Sequence, residues 1–235
     1  MRLNAKQFES LSIAECHLLY PVLLKNAERH FDVAEAILKI KEYGMANAHL
    51  VMCAEECIMA LSVYLTGWGL PVSEIRKMTT FFSSQDSGYN VSPGVVVMGL
   101  FAQSLFKAYE HLQKKLGRLN YTEFQTAFNQ IMLPSKMLEL SNKYSAWWAK
   151  IEKYQEEGLY VQYNIELKTP ADVTVKDYNL SFDIVYELYR NTLSIIAFTK
   201  TIPEDKRQAF LRWLQDSLQP FLKRWGSFPF NLFGK

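Results

Sequence analysis

The run MANAHLVMCAEECIMALSVYLT, residues 45–66, constrains this chain more than any other stretch. Read as a helix, it carries apolar residues on every side: Ala46, Leu50, Cys53, Cys57, Leu61 and Tyr64, but also Val51, Ile58, Val63 and Leu65. A helix apolar all round belongs at the centre of a fold. Yet Glu55 and Glu56 stand side by side near its middle. A carboxylate on such a helix must be paired, protonated or set at a cleft, because desolvating a lone charge is strongly unfavourable. The rest of the chain therefore has to supply polar counterparts.

The preceding stretch is the natural source. Leu24, Ala27, Phe31, Ala34 and Leu38 recur at three- and four-residue steps and form one apolar stripe. Glu28, Asp32, Glu35, Lys39 and Glu42 lie largely opposite. Asn26, Arg29 and His30 are spaced to share a face of this helix. Facing Glu55 and Glu56, they would form either a buried polar clasp that fixes helix register or a functional cleft. Gly44 is expected to end the helix. Pro21 is expected to end or kink a short lead-in over residues 5–20.

Beyond Gly67, Gly69 and Pro71, the pattern predicts further helices over 94–116, from Thr122 to about Trp148, over 178–200, and from Pro203 onward. Leu159, Val161, Tyr163, Ile165 and Leu167 alternate with polar or aromatic neighbours, the period of a strand. Its expected partner is Val173 to Val175, with an extended loop lying on the bundle as the alternative. The expected fold is all-α: an antiparallel helical bundle with extra C-terminal helices and one short extended segment near 159–167. We expect a single domain over 1–235, with a core bundle at about 12–155, the extended segment at 158–175, C-terminal helices at 178–226 and an apolar tail at 227–235.

Composition narrows the function. A net charge of +2 over 235 residues does not mark a nucleic-acid binder by bulk charge. Cys16, Cys53 and Cys57 make no disulfide framework and read as buried free thiols. The N-terminal residues lack a signal-peptide apolar region, and Asn47, His49, Glu55 and Glu56 are unfavourable in lipid, so a cytoplasmic protein without membrane insertion is expected. His49, Cys53 and Glu56 share one helix face, but the Glu-x-x-His pattern of carboxylate-bridged bundles does not occur. No metal and no cofactor is expected. The sequence has no Gly-x-Ser-x-Gly, P-loop or Gly-x-Gly-x-x-Gly. Near the C-terminus, Arg212, Lys223 and Arg224 stand beside Trp213 and Trp225, which reads as aromatic packing beside solvated charges, with contact to a membrane surface or RNA as the alternative.

Three segments carry a family resemblance. Asn26-Ala27-Glu28-Arg29 opens one helix, Ala54-Glu55-Glu56 lies on the next, and Leu159-Tyr160-Val161-Gln162-Tyr163 follows at a comparable distance. In this order they resemble the AbiV-type abortive infection family, a branch of the HEPN-like helical proteins. The family's lysine after the Glu pair falls on Met59, and its His-x-x-Lys segment is not visible in FFSSQDSGYN. Many HEPN-like ribonucleases place a His four to six residues after an Arg, and no Arg here has one. The resemblance implies a helical fold and a phage-defence role, with Asn26, Arg29, Glu55 and Glu56 carried over as a polar cluster. It points away from nuclease chemistry and leaves the catalytic residues unassigned. The expected partner is a phage protein or the translation machinery, with RNA or the ribosome as a further candidate and self-association as a homodimer. The alternatives are a metal-independent ribonuclease using Arg29, His30 and Glu55 or Glu56, and a helical scaffold in a larger defence complex.

Overall fold

The computed structural model describes residues 5–70, 72, 147, 150–160, 162–163, 167–213 and 216. They form α1 (Ala5–Glu9), α2 (Ile13–Leu38), α3 (Tyr43–Gly67), α4 (Ile151–Leu159), a minimal hairpin of β1 (Gln162–Tyr163) and β2 (Leu167–Lys168), and α5 (Val175–Lys200). A further helix, α6, covers 204–213. Among the described residues the protein is all-α apart from the two-residue strands.

Capping chemistry sets two of the helix starts. At Ser12, the side chain accepts from the Glu15 N–H at 3.3 Å, while the Glu15 carboxylate accepts from the Ser12 N–H at 2.8 Å. Thr174 and Asp177 repeat this box at the head of α5. The lead-in does not stop at Pro21: α2 runs through it without a break. Pro21 is exposed, and buried Cys16, Leu23 and Ala27 anchor the helix on both sides of it. Packing outweighs the one backbone bond that a proline removes.

Gly44 also departs from expectation. α2 ends at Leu38, and Gly44 lies in the first turn of α3. The left-handed residue in the connecting loop is Lys41, with φ 63°. Gly44 is needed for a close approach instead. A Cβ there would stand 2.3 Å from the Pro170 carbonyl oxygen, and a Cβ on Gly158 of α4 would stand 2.3 Å from the Gly44 carbonyl oxygen. Backbones meet here where no side chain fits.

α3 is the central rod. Leu50, Ile58 and Leu61 are wholly buried, as are Cys53 and Cys57, and all three cysteines are free thiols. α2 lies antiparallel along it: Tyr20 meets the Tyr64 ring at 4.9 Å near one end, and His30 meets His49 at the other. α5 runs parallel to α3, with Tyr178 beside Tyr43 at its start and Thr199 bonded to Tyr64 at its finish. On the α2 side of α5, Phe31 packs against Phe182, Tyr186 and Tyr189. Val185 and Ile196 of α5 are buried, whereas Leu193 is turned outward at 40% exposure.

The strand expectation needs correction at both ends. Gly158 and Leu159 finish α4, and the partner of Gln162–Tyr163 is Leu167–Lys168, antiparallel. Val175 is already helical, because the Thr174 cap starts α5 there. The helices expected over 94–116 and 122–148, and the tail from 227, lie outside the described residues apart from Trp147. That indole is buried and donates to Ser181 Oγ at 2.9 Å. α3 is the one described helix long and apolar enough to cross a membrane, and 78% of its apolar window is buried inside the protein, as suits a core helix.

Candidate functional site

The α2–α3 seam brings part of the expected polar cluster together. Asn26 Nδ2 donates to Glu56 Oε1 at 2.6 Å. Both residues are partly buried. The acceptor is a carboxylate and the surroundings are apolar, so this bond is charge-assisted and stronger than a neutral one in water. Ala27 and Ala54 beside it are fully buried and small enough to let the two helices close.

One turn further along α2, His30 Nδ1 lies 3.1 Å from His49 Nδ1. The rings are tilted, with centroids 5.4 Å apart. One neutral imidazole donates and the other accepts; two imidazolium ions could not share this contact. The electrostatics agree. Burial holds His30 below the usual histidine range, and neighbouring His49 lowers it further. Burial likewise lowers His49. The seam thus has two polar rungs, Asn26–Glu56 and His30–His49.

The remaining expected residues sit differently. Arg29 is exposed, and among the described residues it forms no ion pair with the acidic couple. Glu55, next to Glu56, is partly buried. His49 is the residue that sequence reasoning left out of the polar cluster and placed in a discarded metal set. Its signal was present: it precedes Glu56 by seven residues, two turns on the same face, while His30 follows Asn26 by four. Antiparallel pairing of Asn26 with Glu56 carries His30 toward His49. Among the described residues no three metal-ligating side chains gather into one group.

Chemically, the rungs hold one amide, one carboxylate and two neutral imidazoles. An imidazole kept neutral can accept a proton. Here the Nδ1 atoms of the two rings are directed at each other, and one of the two Glu56 oxygens, Oε1, is engaged by Asn26. The arrangement ties two helices together at a fixed register.

No curated protein and no solved structure matches the chain. The family model HEPN_AbiV, described as AbiV, matches residues 15–190, which take in nearly all of α2, all of α3, both polar rungs and most of α5. The match covers well over half of the chain, and the protein belongs to the AbiV family.

Proposed function

We propose that this AbiV-family protein acts in abortive infection by binding a protein, either of the phage or of the host translation machinery, and not by cutting RNA. The observation that supports this reading is the pairing of polar atoms across the seam, Asn26 Nδ2 with Glu56 Oε1 and His30 Nδ1 with His49 Nδ1. A general acid–base pair needs groups free to reach a substrate proton. Exposed Arg29 stands apart from that pairing. The lack of an Arg followed at four to six residues by His supports the same reading. Action in the cytoplasm, where phage and ribosomes meet, is part of the proposal, as is self-association.

Two experiments test it. Cells carrying the gene should plaque phage less efficiently than cells without it, and unchanged plaquing and growth would remove the defence role. Purified wild type, Arg29→Ala and Glu56→Ala proteins should leave total RNA equally intact. RNA decay in the wild type that either substitution abolishes would replace binding with ribonuclease chemistry.

A further inference from the structure

A second polar region lies at the end of the bundle where α2 starts and α3 and α5 finish. The described residues there line a cavity of about 740 Å³. It reaches Gly67 and Trp68, eleven or more residues beyond Glu56, or roughly 16 Å along the helix axis. It is therefore separate from the two rungs.

Its charge is one-sided. Lys200, Arg207 and Arg212 line it, and the one carboxylate among its described lining residues is Glu204, so these residues carry a net charge of +2. Glu204 is taken by Arg207, with Oε2 2.6 Å from Nη1. Lys200 and Arg212 are exposed, and among the described residues neither has a carboxylate within ion-pair distance. The Arg207 Nε is buried and has no acceptor among the described residues. A buried donor with no acceptor marks a place for an oxygen atom from elsewhere.

Aromatic rings hold two of the cations in place. The Arg207 guanidinium lies 5.4 Å from the Trp68 ring centroid, and Lys200 Nζ lies 5.8 Å from that of Tyr20. Such contacts restrict long side chains that would otherwise roam. Tyr64 also lines the cavity; burial pushes its phenol up to about 12, so it stays neutral. It is bonded to Thr199.

We infer that this cavity binds a phosphate monoester, with the dianionic head among Lys200, Arg207 and Arg212 and the organic body against Tyr20, Trp68 and Leu211. A phosphate monoester near neutral pH carries about −1.5 to −2, which matches the net charge of the lining. The guanidinium fork suits phosphate oxygens. The volume exceeds what inorganic phosphate needs and lies within the roughly 300–1,000 Å³ of small-ligand sites. The ester could come from a small phosphorylated metabolite or from a phosphorylated side chain of a protein; the recognised group is the same.

Titration calorimetry on the full chain tests this, with glucose 6-phosphate, adenosine monophosphate, a phosphoserine peptide, its unphosphorylated counterpart, inorganic phosphate and citrate as probes. At least one monoester should bind, and Lys200→Gln and Arg212→Gln should each weaken it about tenfold, the size of a lost hydrogen bond to a charged group. Both side chains are exposed, so circular dichroism should show unchanged helix. Tighter binding of a small ester assigns the source as a metabolite, and tighter binding of the phosphopeptide assigns it as a protein. No binding of any monoester at millimolar concentration overturns the inference. So does equal binding by wild type and both variants, binding of citrate or the unphosphorylated peptide as tight as any monoester, or binding of inorganic phosphate as tight as its esters.

Discussion

α3 is gripped on two sides by opposite means. Toward α2 it is held by polar rungs, Asn26–Glu56 and His30–His49, whose bonds have direction and partners. Toward α4 and the Pro170 turn it is held by absence: Gly44, Ala48 and Gly158 leave no room for larger groups, and backbone lies against backbone. The first grip specifies register through chemistry, the second through shape. They should therefore fail differently, one by graded loss of bonds and the other abruptly by collision.

The collision side should give the largest effect. Gly158→Val places a branched side chain where even a Cβ would stand 2.3 Å from the Gly44 carbonyl oxygen. A loss of at least about 3 kcal/mol in urea unfolding is expected, since backbone must move to relieve it. Gly44→Ala should behave alike against Pro170. A loss below about 0.5 kcal/mol in both would contradict a backbone-to-backbone approach at Gly44 and Gly158.

The polar side should give less. Asn26→Ala strips Glu56 of its amide donor inside an apolar seam, and about 1–3 kcal/mol is expected. Arg29→Ala, one turn face away and exposed, should change stability by no more than about 0.5 kcal/mol. A larger loss for Arg29 than for Asn26 would reverse the assignment of which residue faces α3.

The histidine rung adds a pH signature that the glycine side lacks. Both rings have folded-state pKa values below their unfolded values, because burial disfavours the charged form. The unfolded chain therefore binds protons more readily than the folded one. The contribution of the neutral pair is complete above the ordinary histidine value of about 6.5 and is lost as pH falls through it toward the lowered folded values. Thermal unfolding should show a melting temperature that drops on acidification from pH 7.5 to 5.5, and His49→Gln should flatten that drop. A wild-type protein that becomes more stable on acidification would contradict the neutral pair.

The Asn26–Glu56 rung was legible in the sequence; the His30–His49 rung, through His49, and the steric grip were not. Glu56 on an all-apolar helix demanded a partner, and Asn26 stood on the nearest face that could reach it. Gly44 carried the wrong message. A glycine after a periodic run looks like a helix stop, and only the fold brings Pro170, more than a hundred residues later, against it. Pro21 misled for the same reason: the packing that carries α2 through it is tertiary. Leu159 to Leu167 alternates like a strand, yet its first residue ends α4, because the α4 packing on Ala48 overrides a two-residue period. The cavity was beyond reach altogether, since Tyr20, Trp68, Lys200 and Arg212 share no local pattern.

The most direct measurement is a double-mutant cycle on Asn26→Ala and Glu56→Ala, read by equilibrium urea unfolding. If the acidic residue on the central rod is there to hold its neighbour in register, the two substitutions should be coupled by about 1–2 kcal/mol. Additive losses, with coupling near zero, would mean that α2 and α3 keep their register without this bond.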